Sequence, residues 1–198
     1  MAFVRLFGPN GRKGFFLMNS KHEHVSPVKK LVLSAMFLAL GLVLPFFTGQ
    51  IPEVCSMLLP MHIPVLLCGM IVGGPWGLLV GFICPLLRSA LFSMPPPYPA
   101  AVSMAFELAV YGAAAGALYR ALPRKTVSVY LSLIIAMIAG RLVWGVMRYL
   151  LAGLAHSTFT PALFLAGAVT TAIPGIILHI ILIPALVIAM DKARLIPD

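Results

Sequence analysis

The chain has 198 residues, of which 61% are hydrophobic and only 10% are charged. Soluble domains carry about 25% charged residues, so this chain has too few charges to cover a surface that faces water. Its net charge of +9 does not indicate a nucleic-acid interface, because most of the basic residues lie at the ends of apolar segments, where they set membrane topology. The composition therefore predicts an all-α protein embedded in a lipid bilayer.

The N-terminal segment, residues 1–27, is polar and lacks the apolar stretch and small-residue cleavage site of a secretory signal peptide. The rest of the chain, residues 28–198, is predicted to be a single transmembrane domain. A membrane span needs about 20 mostly apolar residues, so about six spans with short loops use nearly all of it. Proline- and glycine-rich breaks place these spans at residues 31–47, 57–72, 76–92, 100–119, 127–151 and 162–190.

The segments between and within the spans carry further predictions. Residues 48–56 are predicted to form a polar loop. The proline run within residues 95–99 cannot continue a helix, because proline lacks the amide N–H and clashes with the preceding turn. The sixth span is predicted to be one helix with kinks at Pro174 and Pro184.

The basic residues are distributed asymmetrically along the predicted spans. If the N-terminus lies in the cytoplasm, every lysine falls on the cytoplasmic side and the outer loops hold none. Such an excess of basic residues marks the cytoplasmic loops of membrane proteins, so we predict a multi-pass protein with both termini inside. The basic residues on that side are Arg5, Arg12, Lys13, Lys21, Lys29, Lys30, Arg120, Arg124, Lys125, Lys192 and Arg194.

Four charged residues lie inside the predicted spans: Arg88, Glu107, Arg141 and Arg148. A charge in the middle of a span costs about 2.5–3.5 kcal/mol on insertion scales, so such residues face the protein interior or a wet cavity and indicate a functional site. The predicted topology puts all four in the middle or the outer half of the membrane. They are therefore candidates for one substrate-binding cavity that opens outward.

Aromatic residues accompany these charges. Arg141 and Arg148 are seven residues apart and so lie on one helix face together with Trp144, while Tyr111 lies one turn beyond Glu107. Trp144 and Tyr111 therefore join the candidate substrate-binding residues. Three arginines against one glutamate leave positive charge unmatched, which favours a ligand with a carboxylate or a phosphate.

Each polar residue in the spans also has a structural interpretation. Glu107 would pair with one arginine as a helix clamp, and Arg88 or Arg148 would extend to the lipid headgroups. His62, near the outer end of the second span, and His179, in the inner half of the last, would be helix-to-helix hydrogen-bond partners. We keep His62 among the candidates for the cavity because of its position.

No metal or cofactor site is indicated. The three cysteines, Cys55, Cys68 and Cys84, show neither a CxxC motif nor a Cys/His ligand spacing. A single intramembrane acid, without Gly-x-Ser-x-Gly or His-Glu-x-x-His, argues against an enzyme, and the absence of Gly-x-x-x-x-Gly-Lys-[Ser/Thr] argues against ATP binding. We predict no cofactor in this chain and no enzymatic activity of its own.

Three stretches of the chain together resemble one family of membrane proteins. Residues 29–41 begin with two lysines and continue as an apolar Ala-x-x-x-Ala span, residues 58–67 read LLPMHIPVLL, and residues 77–89 contain GLLVGF and PLLRS. These stretches are similar to the first three helices of S components, the substrate-binding subunits of energy-coupling-factor (ECF) vitamin transporters. The likeness extends to the C-terminus and includes the six-helix plan.

The resemblance implies a division of labour between subunits. An S component binds one vitamin or precursor from outside with high affinity, and the loop between the first two spans, which here contains Gln50, closes over it. The small face of the first helix, here Ala35 and Ala39, packs on a transmembrane T component, and two cytoplasmic ABC-type ATPases drive import. The implied location is the cytoplasmic membrane of a prokaryotic cell.

The cargo remains open between several vitamins. The arginine excess favours a carboxylate such as pantothenate or folate, and the likeness of the first three spans favours pantothenate over riboflavin, pyridoxine and thiamine precursors. The competing prediction is a stand-alone secondary carrier that acts as a homo-oligomer, although the half-repeat typical of many carriers is not visible. A purely structural membrane subunit would leave the buried arginines unexplained.

Overall fold

The computed structural model describes residues 26–48, 51–123, 125–154 and 160–192, apart from the side chains of residues 52, 53, 56, 168 and 169. Within these residues every regular element is helical. Five helices are long and apolar enough to cross a membrane, and a shorter apolar helix accompanies them, in agreement with the predicted all-α membrane bundle. The α-helices are α1 Pro27–Phe47, α2 Pro52–Leu58, α3 His62–Ile71, α4 Gly74–Phe92, α5 Val102–Ala121, α6 Thr126–Leu154, α7 Pro161–Leu165 and α8 Ile173–Lys192.

Helix α1 begins where the sequence provides a cap. The Ser26 side chain accepts a hydrogen bond from the Lys29 amide at 3.3 Å, and Pro27 occupies the first turn, where its missing N–H costs nothing. One face of α1 is buried against the bundle, and large apolar side chains cover the other face. This outward apolar face is what a lipid-exposed helix requires.

The second predicted span is broken in the structure. Residues 48–56 do not form a simple loop, since α2 begins at Pro52. Leu59 then adopts a left-handed conformation with φ of 52°, and a new helix, α3, starts at His62. All ten residues of α3 are buried, and α3 packs against α1, α4, α5 and α8. A helix of this length rises about 15 Å, which is half the thickness of the hydrocarbon core. Its first residue, His62, therefore lies well inside the bundle.

The sixth predicted span is also broken, so the prediction of one continuous helix is wrong. Helix α7 ends at Leu165, a wide helical turn covers Ala166–Thr170, and α8 starts at Ile173. Pro174 lies in the first turn of α8 and therefore does not kink a continuous helix, whereas Pro184 does lie inside α8.

The proline run between α4 and α5 interrupts the helical structure, as predicted. Ser93 ends α4 in a left-handed conformation, and helical structure resumes as a wide turn over Pro97–Ala101 that continues into α5. Tyr98, inside this turn, has extended backbone angles. The connection between α4 and α5, residues 93–101, is therefore irregular.

Helices α3, α4 and α5 approach each other closely through glycines. A Cβ atom added at Gly112 would lie 2.2 Å from the Gly77 carbonyl oxygen, and one added at Gly69 would lie 2.3 Å from the Gly112 carbonyl oxygen. Only glycine allows backbones to meet in this way within a membrane bundle. This contact fixes α4 against α5 and so positions the charged residues on them, Arg88 on α4 and Glu107 on α5.

The two ends of the bundle differ in charge and regularity. At one end lie Lys29, Lys30, Lys125 and Lys192, together with Arg120. The Arg120 guanidinium donates a hydrogen bond of 2.7 Å to the Val72 carbonyl and packs over Gly73, whose φ of 128° is accessible only to glycine without strain. The three irregular breaks, at residues 59–61, 93–101 and 166–172, all lie in the opposite half of the bundle.

Candidate functional site

A cavity of about 530 Å³ lies at the end of the bundle that carries the three breaks. This volume falls within the range of small-molecule sites, which are mostly apolar with a few convergent polar groups. All four charged residues predicted from the sequence line it. The residues that line it in the described part are Pro45, Cys55, Leu59, Pro60, Met61, His62, Arg88, Met94, Pro95, Pro96, Ala100, Ser103, Met104, Glu107, Arg141, Trp144, Arg148, Leu163, Gly167 and Thr171.

Glu107 forms the polar floor of this cavity. Its side chain is buried on α5, and its Oε1 atom lies 3.1 Å from Arg141 Nη1 on α6 and 3.5 Å from His62 Nε2 on α3. The carboxylate thus joins three helices at the base of the cavity.

The pairing with Glu107 uses only part of the Arg141 guanidinium. Arg141 Nε and Nη2 have no hydrogen-bond partner among the described residues. The helix-clamp and cavity interpretations therefore both apply to Arg141, because it pairs with Glu107 through Nη1 and also lines the cavity. Tyr111 is buried beneath Glu107 and does not line the cavity in the described part.

Arg88 approaches the cavity from the α1 and α4 side. It is only 2% exposed, so it does not extend to the lipid headgroups. Its Nη1 donates a hydrogen bond to the Leu42 carbonyl, and the guanidinium lies 4.9 Å from the Phe46 ring centre and 5.3 Å from that of Phe92. Arg88 Nη2 is buried and has no hydrogen-bond partner in the described part. The surroundings fix the side chain and leave one donor group uncommitted.

Arg148 and Trp144 form the α6 wall. The Arg148 guanidinium carbon lies 5.6 Å from the Trp144 ring centre, within the range of a cation–π contact. The Trp144 ring packs over Gly167, where an added Cβ would come within 2.6 Å of it, and lies 6.2 Å from the Phe164 ring. This packing holds an aromatic surface and a guanidinium side by side at the cavity wall.

The histidines lie on the axis of the bundle. The His62 ring stacks on that of His179 with centres 5.9 Å apart, and it contacts Tyr111 edge-on at 5.1 Å. His62 lines the cavity, whereas His179 is buried beneath it. Gln50, predicted to close over the ligand, lies outside the described residues.

Several lining residues were missed by sequence reasoning. They lie at or beside the chain breaks, in particular Met94 and Pro95 between α4 and α5, and Ser103 in the first turn of α5. The hydroxyl of Tyr98, in the connection between α4 and α5, donates a hydrogen bond to the Leu151 carbonyl and so attaches this connection to α6. A proline run signals a break, but it does not show that the broken segment will border a cavity.

Comparison with known proteins assigns the chain to a family. Residues 29–187 match the family described as ECF transporter, substrate-specific component, and the chain belongs to this family. It is thus a multi-pass transport subunit that binds substrate, and not an enzyme. Membership implies a small-molecule substrate and partnership with a T component and ATPases. No curated protein and no solved structure gives a significant match.

Proposed function

We propose that this chain captures an anionic water-soluble vitamin or vitamin precursor in the cavity between α1, α4, α5 and α6. The observation that carries the proposal is the convergence of Arg88, Arg141 and Arg148 on one cavity whose described lining holds a single carboxylate. Guanidinium groups grip carboxylates and phosphates through paired hydrogen bonds. The apolar remainder of the lining and Trp144 would enclose the body of the ligand.

The cavity is proposed to open to the outside of a prokaryotic cell. The basic residues at the ends of α1, α5, α6 and α8 lie at the other end of the bundle, and basic ends face the cytoplasm. Both termini would then be cytoplasmic. This orientation suits a subunit that collects a scarce nutrient from outside and releases it inside.

The outer face of α1 is proposed to contact the T component, through which two ABC-type ATPases would drive import. Ala35 and Ala39 are both exposed, one turn apart, on the face of α1 opposite its buried residues. Small side chains at this spacing let two membrane helices approach closely. The chain would therefore bind its ligand with one end and its partner with one side.

Pantothenate is the first cargo to test, followed by folate, riboflavin and pyridoxine. Pantothenate carries one carboxylate, which a guanidinium of the cavity would bind, and amide and hydroxyl groups that suit the smaller polar lining residues. The preference for pantothenate rests on the likeness of the first three spans to vitamin S components.

The test is a thermal-shift screen of the purified protein in detergent against water-soluble vitamins and their precursors. A compound that binds only the folded protein raises its melting temperature by mass action. We expect one anionic compound to raise it and the shift to disappear in Arg148→Gln. A well-folded sample that responds to none of these compounds would overturn the proposal.

A second measurement separates an importer subunit from a stand-alone carrier. The purified chain is reconstituted in liposomes and supplied with the compound that raised the melting temperature. We expect binding without transport, because transport would need the T component and the ATPases. Uptake by this chain alone would favour the homo-oligomeric carrier.

A further inference from the structure

We propose that the ligand carries two separate acidic groups, one bound by Arg88 and the other by Arg148 together with Arg141. The proposal rests on the proposed function and narrows its ligands to molecules with two acidic groups, so that pantothenate, with one carboxylate, would occupy only one of the two arginine sites and bind more weakly. Such a ligand carries at least two negative charges and is either a dicarboxylate or a carboxylate with a phosphate ester, whose two acidic groups stand at opposite ends of an uncharged body.

The charge of the described lining supports two negative charges on the ligand. Three arginines and one glutamate line the cavity, and Glu107 already pairs with Arg141. Counting the three arginines and Glu107 alone, a net of two positive charges remains. Arg88 is buried and Arg148 is half-buried. Charges without partners are unfavourable inside a membrane bundle, so a ligand that brings two negative charges compensates these residues most completely.

The two guanidinium groups that have no carboxylate partner among the described residues approach the cavity from different walls. Arg88 lies on α4 and is bonded to the α1 carbonyl of Leu42, whereas Arg148 lies on α6. Helices α4 and α6 both pack on α5, which stands between them. A single small anion would engage one wall and leave the other charge uncompensated. Two acidic groups at the ends of one molecule would engage both.

Each guanidinium is held by neighbouring groups, and each has one buried nitrogen without a hydrogen-bond partner among the described residues. Arg88 is held by the Leu42 carbonyl and two phenylalanine rings, and its buried Nη2 has no hydrogen-bond partner in the described part of the chain. Arg148 is held against Trp144, and its buried Nε is likewise without a described partner. Side chains held in this way lose little freedom when an acidic group binds, which favours tight binding.

The space between the walls suits an uncharged middle. The lining there is contributed by apolar residues such as Leu59, Met61 and Met104, and Trp144 offers a flat surface. The volume of about 530 Å³ is large enough for a molecule of vitamin size. The ligand class is therefore an acid at each end of an apolar or weakly polar body.

The test uses matched pairs of probes that differ by one acidic group. One pair is pantothenate and phosphopantothenate, which adds a phosphate at the hydroxyl end. The others are α,ω-dicarboxylates of graded chain length and their monomethyl esters. Dissociation constants are measured on the purified protein in detergent. We expect the two-acid member of the best-fitting pair to bind at least about tenfold more tightly, as a charge-assisted hydrogen bond allows.

Variants then assign the acidic groups to the walls. Arg88→Gln should remove most of the preference for the two-acid probe and leave the affinity for its one-acid partner nearly unchanged. Arg120→Gln, at the opposite end of the bundle, is the matched control and should leave both affinities unchanged. Equal binding of both members of every pair, or an unchanged preference in Arg88→Gln, would overturn the proposal.

The failure of this proposal and that of the proposed function give different results. If single-acid vitamins bind tightly and the second acidic group adds nothing, the cavity still serves an anionic vitamin and only the dianion proposal is wrong. If a folded sample binds neither vitamins nor any probe, the proposed function fails and the dianion proposal fails with it.

Discussion

Glu107 is the residue on which the polar side of the cavity depends. Its side chain is 2% exposed and its carboxylate lies beside Arg141 and His62, so it compensates a positive charge that α6 brings into the bundle. Removing one member of a buried ion pair is far more damaging than removing both, because the remaining charge keeps its desolvation cost and loses its partner.

We therefore expect Arg141→Gln to reduce both stability and binding. The unpaired Glu107 should lower the free energy of unfolding by about 3–5 kcal/mol, and ligand affinity should fall at the same time because a cavity donor is lost. The measurements are the melting temperature in detergent and the dissociation constant of the ligand found by the vitamin screen.

The double variant Arg141→Gln with Glu107→Gln separates the two effects. It should recover most of the lost stability, since no buried charge is left unpaired, but it should not recover binding. If the double variant is as unstable as Arg141→Gln, the ion pair does not account for the loss. If it binds ligand normally, Arg141 has no place in the site.

The sequence located the charged residues of the candidate site better than their surroundings. Arg88, Glu107, Arg141 and Arg148 could be predicted to converge, because a charge in a span must face inward and the topology fixes its depth. Their pairing could not be predicted, since three arginines competed for one carboxylate. The burial of Arg88 under Phe46 depends on the packing of α1 on α4, which no local pattern encodes.

At the level of helices, the long spans were predictable and the broken ones were not. An apolar run of the right length indicates a span, but a continuous helix and a helix that is broken in the middle can have the same apolar sequence pattern. The second and last spans contain such breaks, at Leu59 and at residues 166–172. Backbone irregularity is tolerated at membrane depth where it lines a cavity, so these deviations fall at the site itself.

The contact of α3, α4 and α5 gives a prediction about packing. Gly112→Ala would place a methyl group 2.2 Å from the Gly77 carbonyl oxygen, so the helices must separate. We expect a loss of about 1–3 kcal/mol or more, the usual result of overpacking, together with weaker ligand binding, because the contact positions Arg88 and Glu107. Melting temperature and affinity are measured together.

The matched control is Gly153→Ala on α6, where an added methyl group meets no atom within 4 Å. This variant should keep its affinity and melt at the same temperature or slightly higher, since alanine favours a helix more than glycine. Equal effects of the two substitutions would contradict a role for close packing at Gly112.

The connection between α4 and α5 gives a second prediction about the helices and their connections. Tyr98→Phe removes the hydrogen bond to the Leu151 carbonyl and releases one attachment of the cavity rim to α6. We expect faster ligand dissociation and a stability loss of about 0.5–1.5 kcal/mol. Tyr149→Phe, an exposed tyrosine on α6, is the control and should change neither quantity. An unchanged dissociation rate in Tyr98→Phe would show that the attachment does not retain ligand.

At the scale of the whole molecule, three regions of the bundle face in different directions. The cavity lies at one end, the basic residues lie at the other, and the exposed face of α1 is on the side. Buried residues of α1, such as Phe37, contact the core, whereas Ala35 and Ala39 point away from it. A change on that outer face therefore has no direct route to the cavity.

We accordingly expect Ala35→Leu and Ala39→Leu to leave ligand binding unchanged while abolishing uptake by the assembled transporter. A leucine at either position would hold a partner helix away from α1, since close approach needs small side chains. Binding is measured on the purified chain, and uptake is measured in cells or liposomes that also contain the T component and ATPases. Ala185→Leu, on the exposed face of α8, is the matched control and should support normal uptake. Loss of ligand binding in the α1 variants would contradict the separation of surfaces, and normal uptake would place the partner contact elsewhere.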